Sequence, residues 1–177
     1  MQADFPERID TERLVLRRWR EDDANAWVGI WSDPSVFTVL WPGAVYSAEL
    51  VLDRLKHHLH HWTTYGFGLF ALEDRASGDV VGWTGPSHPD FAPELAGEVE
   101  LGWTLRSDGR HRGLATEAAT AALRASLDAL GHDRIISLID PDNHDSMAVA
   151  RRIGMAHAGE TTRTSAGFEL LVFEASG

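Results

Sequence analysis

The sequence predicts an α/β chain of the α+β kind, with a central sheet flanked by helices, and three observations carry that reading. Apolar residues alternate with polar ones in several short runs, as in strands buried on one face. Other runs repeat apolar residues at three- and four-residue spacing, as in helices. The two kinds follow one another as β, α, α, β, β, β, α, β, α, β, β, which gives seven strands.

ERLVLRRW (12–19) sets Leu14 and Leu16 among charged neighbours and reads as a strand. A helix follows on Ala24, Trp27, Val28 and Trp31, with acidic residues 21–23 at its positive end and Asp33-Pro34 to stop it. Leu52, Leu55, Leu59 and Trp62 repeat the spacing and predict a second helix over about 47–62. FGLFALED and DVVGWTG, joined at Ser77-Gly78-Asp79, read as a hairpin.

GEVELGWTL (97–105) is a further strand, with Val99, Leu101, Trp103 and Leu105 on one face and Glu98, Glu100, Gly102 and Thr104 on the other. The Pro-rich loop before it, GPSHPDFAPELAG, is long enough to suggest a working role. An Ala-rich helix runs from about residue 114 to Leu130, stopped by Gly131. RIISLID is a buried strand, Asn143 or Asp142 caps a short helix through Ile153, and strands near 156–163 and 168–173 finish the chain.

At 177 residues, one domain over 1–177 is expected, and 44% apolar with 24% charged residues fits a globular chain. There is no cysteine, which excludes disulfides and thiolate metal sites. MQADFPERIDTERL has no apolar stretch of a signal peptide, and no run reaches the roughly 18 residues of a membrane helix. A cytoplasmic location is therefore expected. Sixteen Lys and Arg against 27 Asp and Glu give a net charge of −11, which disfavours nucleic acid and anionic membranes and favours a cationic ligand.

Against that background Arg106, Arg110 and Arg112 crowd together beside His111, with Asp108 opposing them. A helix start leaves N–H groups unpaired and is a natural anion seat, and Gly113 lets a diphosphate approach the backbone. The small Ala115 keeps the first turn open, and Arg110 and Arg112 can add charge. A solvated basic turn is the competing reading of the same residues.

The pattern Arg110-His111-Arg112-Gly113-Leu114-Ala115 resembles the acyl-CoA-binding motif of the GNAT acetyltransferase superfamily, Gln/Arg-x-x-Gly-x-Gly/Ala, and its extension ATEA is similar to the RimJ/RimL branch. TERLVLR, VVGWTG and ELGWTL resemble that branch's first, third and fourth strands. NHDSMAVARRIGM (143–155) resembles its Asn-x-x-Ser helix, with Met155 in place of Phe. The resemblance implies a mixed, mostly antiparallel sheet of about seven strands and an acetyl-CoA-dependent N-acetyltransferase.

It also implies that the backbone of residues 110–116, including Leu114 and Thr116, cradles the pyrophosphate of acetyl-CoA. The edge of Trp103, Thr104 and Leu105 would pair with pantetheine where a β-bulge splays two strands apart. Asn143 and Ser146 would reach the cosubstrate from the far side; helix cap and N3 residue are their plainer readings. Direct attack by the amine, without an acyl-enzyme, is implied as well.

The branch resemblance, which places a carboxylate just before the Leu-Gly-Trp of this strand, implies Glu100 as the base, by a raised pKa, through water, or by holding the amine; a solvated acidic face is the alternative, with His88 and Asp90 in reserve. The family's usual tyrosine position falls on Ala150, so Ser146 or water is left as acid. A backbone N–H near Trp103 is the expected oxyanion donor. The acceptor would be a protein or peptide N-terminus, with a small amine of polyamine or aminoglycoside type as the alternative. A non-catalytic acyl-CoA-binding module is the rival of another class. A homodimer remains open.

HHLHH (57–61) has a zinc-like i, i+4 spacing but no HExxH and no third ligand, so a polar helix face is expected and no metal. GFGLFA precedes a strand and is no dinucleotide fingerprint. The tryptophans are expected in the core or in cleft walls.

Overall fold

The structure, a computed structural model, describes residues 4–40 and 46–177. The strands are β1 (Arg8–Asp10), β2 (Leu14–Arg18), β3 (Phe70–Asp74), β4 (Val80–Ser87), β5 (Glu100–Leu105), β6 (Arg134–Ile139), β7 (Ala156–Arg163) and β8 (Glu169–Ser176). The helices are α1 (Ala24–Trp31), α2 (Pro34–Leu40), α3 (Ala48–Tyr65), α4 (Leu114–Ala129) and α5 (His144–Arg152). The sheet runs β1-β2-β3-β4-β5-β6-β8-β7, and every neighbouring pair is antiparallel except β5 with β6.

Two elements exceed the sequence expectation. β1 makes the sheet eight-stranded rather than seven-stranded; Arg8-Ile9-Asp10 is an edge strand too short to show alternation. Asp33-Pro34 ends α1 as expected but also starts α2. Asp33 Oδ1 accepts from the Ser35 N–H at 2.9 Å, and Pro34 takes a first-turn position where its missing N–H costs nothing. The strand expected from residue 97 begins at Glu100, and Glu98 before it pairs with Arg134.

The sheet is covered on both faces, and β3 shows this residue by residue. Phe70 and Leu72 join Leu14, Leu16, Leu101 and the α4 side chains Leu114, Ala118 and Ala122. Leu69 and Ala71 join Trp27, Ile30, Val51 and Leu55 beneath α1 and α3. Fully buried alanines on α4 let its backbone approach the strands closely. Ser47 caps α3, with Oγ accepting from Leu50 N–H at 3.1 Å, and Gly66 closes it at φ 75°.

One feature of the sheet positions the candidate site, the parting of β5 from β6. β5 meets β6 only at Glu100 and Ile136, with the Ile136 N–H on the Val99 carbonyl at 3.0 Å. Beyond that point the two strands diverge, and no later residue of β5 has a partner in β6. The expected β-bulge is not the cause, since β4 and β5 pair in unbroken register from Gly82↔Leu105 to Ser87↔Glu100. The parallel strands simply part after one residue pair.

Candidate active site

A cavity of about 440 Å³ opens at this parting of the strands. Its floor is β4 and β5, with Trp83, Ser87, Glu100, Gly102 and Trp103. Trp31, Arg54, His57 and His58 make the wall on the α1 and α3 side. The opposite wall is the loop bearing His88, Asp90 and Phe91, together with Thr164, Ser165 and Phe168 from the turn between β7 and β8. Those two segments meet where Ser165 donates its backbone N–H to the Phe91 carbonyl at 2.8 Å. Leu138, Asp140, Asn143 and Ser146, from β6 and the α5 start, complete the lining.

Glu100 therefore sits at the apex of the divergence, directly across from Ser87 in register. Burial pushes its carboxyl up to about 7, against the smaller opposing effect of the Leu138 backbone N–H that it accepts. The chain thus holds a carboxyl group that exchanges a proton near neutrality, on the cavity floor. The expected face, Glu100, Gly102 and Thr104, is the one opposite Ser87, Gly85 and Trp83. Trp103 turns partly to the α4 side, where it packs against the core, and it also lines the cavity.

The turn before α4 lies outside this lining. His111 and Gly113 both take the left-handed conformation, φ 59° and 77°, on either side of Arg112. Among the described residues no group accepts a hydrogen bond from the backbone N–H of any residue in 111–116; the first helical bond is Glu117 N–H to the Gly113 carbonyl at 3.1 Å. Such a run of free donors at a helix start is a concave seat for an anion. Leu114 is buried in the core, while Ala115 and Thr116 are half-buried.

The arginines do not all point into that seat. Arg112 reaches Asp74 at 3.2 Å, Arg106 pairs with Asp108 at 2.7 Å, and Arg110 Nε donates to the Leu105 carbonyl at 3.2 Å. The cation that braces the turn comes from β2's approach instead. Arg13 donates to Glu117 at 2.7 Å and to the Arg112 carbonyl at 2.6 Å, and its Nη2 lies 3.4 Å from where a Cβ on Gly113 would stand. Sequence reasoning missed Arg13 because the contact spans a separation of 104 residues.

Asn143 is the cap of α5, accepting from the Ser146 N–H at 3.1 Å, and both residues also line the cavity. Ala150 is fully buried in the core, so its position carries no acid. Ser146 and Glu100 share one cavity, whereas Arg110, His111, Arg112 and Gly113 stand apart from it.

The expected polar face of HHLHH is wrong in part. Only His57 and His60 face outward; His58 and His61 are buried with Leu55 and Trp62, so the buried stripe of α3 is rotated from the one its leucines suggest. His61 Nδ1 lies 2.9 Å from the Phe67 carbonyl, and Nε2 accepts the His88 N–H at 3.2 Å. Those partners fix a neutral ring with its proton on Nδ1. His88 in turn is oriented by the Glu98 carbonyl at 3.1 Å from its Nδ1. No cluster of three metal-ligating side chains occurs among the described residues. The tryptophans follow expectation, with Trp19, Trp27 and Trp62 in the core and Trp31, Trp83 and Trp103 at the cavity; Trp41 lies outside the described residues.

No helix among the described residues is long and apolar enough to cross a membrane. The chain matches the acetyltransferase (GNAT) domain family over residues 13–156. It is 35% identical over 153 residues to an uncharacterized N-acetyltransferase, YnaD, of Bacillus subtilis (strain 168), covering 85% of this chain and 84% of that one. An acetyltransferase from Agrobacterium tumefaciens str. C58 superposes with a TM-score of 0.82 at 29% identity, over 100% of this chain and 98% of the other. The fold is also similar to RimL, a ribosomal L7/L12 alpha-N-protein acetyltransferase solved with coenzyme A, at a TM-score of 0.72 and 16% identity over 97% of each chain. The chain belongs to the GNAT family and is an acetyltransferase, whose fold supports acetyl transfer to an amine.

Proposed function

We propose that residues 1–177 act as one acetyl-CoA-dependent N-acetyltransferase domain in which a primary amine is acetylated directly. The observation that carries the cosubstrate is the unbroken run of unbonded N–H groups over residues 111–116, which fits a pyrophosphate. Gly113 fits it too, since its φ of 77° suits glycine and keeps the backbone bare. The open edge of Trp103, Thr104 and Leu105 offers backbone groups to an extended amide chain. Arg110 reaches the same edge at Leu105. Acetyl-CoA, when bound, supplies the acyl thioester.

The chain's own residues then divide the proton work. Glu100, with its carboxyl at about 7, takes a proton from the acceptor's ammonium near neutrality, where an ordinary carboxylate would be too weak a base. Ser146 Oγ, which lines the same cavity as Glu100, holds a proton that can go to the leaving sulfur.

For the acceptor, the RimJ/RimL resemblance favours a peptide N-terminus. The meeting of Ser165 with Phe91 favours a compact amine instead, because it closes one side of the cavity among the described residues. The test is twofold. Calorimetric titration with CoA is expected to show one site that Gly113→Ala weakens. Thiol release from acetyl-CoA is expected with amines and to fall sharply in Glu100→Gln. CoA binding with no thiol release across peptides and small amines would leave a non-catalytic binding module.

A further inference from the structure

The charged groups of the cavity wall answer one another. Asp90 Oδ2 lies 3.2 Å from His57 Nε2, and the same carboxylate acts on Arg54, opposing the burial that lowers its pKa. Asp140 Oδ1 accepts the Asp142 N–H at 2.8 Å, and burial keeps His58 neutral. A second charge on an acceptor, of either sign, would enter a wall whose charges are already matched. Taking an unmatched ion out of water is costly, so such an acceptor is disfavoured.

What the cavity presents instead is carbon. Trp31, Trp83, Trp103, Phe91 and Phe168 all line it, and Phe91 and Phe168 are 38% and 40% exposed. Large apolar rings left uncovered around one cavity mark a surface that an apolar ligand covers. The rings also lead to Glu100. Partners in the β4–β5 ladder share a face, so Trp83, opposite Thr104, stands on the face of Gly102 and Glu100. Gly102 makes room for it, since a Cβ there would stand 2.9 Å from Trp83 Cζ3. The indole therefore reaches over β5 at Gly102, one residue along that face from Glu100. Trp31 backs it, stacked at 6.3 Å between ring centroids with the planes 16° apart. An ammonium brought to Glu100 there meets the electrons of an aromatic ring as well as a carboxyl group.

We propose that the acceptor is a primary amine on one uncharged aromatic body, an arylalkylamine whose ring lies among Trp83, Phe91 and Phe168 with its amine at Glu100. The proposal rests on the transferase reading above and deepens it by naming the acceptor class of that same site. The cavity of about 440 Å³ falls in the lower part of the small-molecule range, about 300–1,000 Å³, and also has to admit the thioester, which suits so compact a body. The net charge of −11 agrees in favouring a cation.

The test uses the full chain with acetyl-CoA, reads thiol release, and compares phenethylamine with three relatives. L-phenylalanine adds a carboxylate, 4-(aminomethyl)phenethylamine adds a second ammonium, and 2-cyclohexylethylamine keeps the size but loses the aromatic ring. Phenethylamine is expected to have the highest kcat/KM, by about ten- to a hundredfold over the two charged relatives and about two- to tenfold over the saturated one. Phe91→Ser and, separately, Phe168→Ser lie outside every strand and helix, so the fold is kept. Each is expected to lower the phenethylamine kcat/KM by about three- to tenfold with the CoA Kd unchanged. Equal or better turnover of the amino acid, the diamine or the saturated amine overturns the inference, as does an unchanged phenethylamine kcat/KM in both variants. So does turnover confined to peptides. Failure to bind CoA, or CoA binding without thiol release to any acceptor, is read separately and sinks the transferase reading instead.

Discussion

The turn at residues 111–116 offers a ligand its backbone, whereas the chamber beneath α3 offers side chains gathered from stretches far apart in the sequence. The first is local, exposed and set by dihedral angles, with two left-handed residues and one helix start. The second is buried and exists only after α1, α3, β4, β5 and the β7–β8 turn have come together. A six-residue pattern in the sequence can encode the turn, and no short pattern can encode the chamber. Evolutionary change in the chamber can therefore alter the acceptor without touching the cosubstrate seat.

The sharpest way to break the comparison is Glu100→Gln, which belongs to the chamber floor. It is expected to lower kcat about a hundred- to a thousandfold while CoA binding holds, by steady-state kinetics and calorimetry. Wild-type kcat/KM is expected to climb as pH passes through about 7, where Glu100 loses its proton, and the variant to lack that limb. The sign for stability is opposite. Burial raises the folded-state pKa, so the folded chain binds more protons than the unfolded one between the ordinary Glu range and about 7. Wild type is expected to lose stability over that window as pH rises, and Glu100→Gln to flatten the loss in thermal melts.

Next in size is Gly113→Ala, which acts on the turn alone. A Cβ would meet only Arg13 Nη2 at 3.4 Å, so φ 77° sets the cost, about 1–2 kcal/mol of strain. A weaker CoA Kd, by about tenfold, and a melting temperature lower by about 2–8 °C are expected, with acceptor selectivity kept. Gly102→Ala reverses the pattern. Its Cβ would stand 2.9 Å from Trp83 Cζ3, so the indole must shift. A rise of a few-fold in acceptor KM with unchanged CoA Kd checks it. The smallest effect is expected from Arg13→Ala, about 0.2–1 kcal/mol for a half-exposed ion pair with Glu117 plus a modest loss in CoA affinity.

The same contrast explains what the sequence made legible. The expected elements appear in their order with β1 and α2 added to them, and the hairpin at Ser77-Gly78-Asp79, the end of α1 at Asp33-Pro34 and the Asn143 cap come from short-range rules and are seen. Glu100 was legible because the family resemblance sets a carboxylate just before Leu-Gly-Trp and strand alternation gives it one face with Gly102, although the shift of its proton affinity needed the burial that only the fold supplies. β1 was not legible, since three residues at an edge carry no period. The inward turn of His58 and His61 was hidden because both leucine-based and histidine-based stripes fit α3, and only packing of His58 on Trp27 and of His61 on Phe67 chooses between them. Arg13 acts across the chain on Glu117 and the Arg112 carbonyl, partners that no local spacing announces.

With β5 and β6 joined at one residue pair, the eight strands form a five-stranded leaf and a three-stranded leaf that share a seam. α4 lies over both leaves and acts as their hinge plate. An occupant that fills the seam stitches the leaves together, so it tightens the whole sheet and not just its own neighbourhood. At a hundred times its Kd such an occupant adds about 2.7 kcal/mol to unfolding, enough to slow amide exchange in strands it never touches.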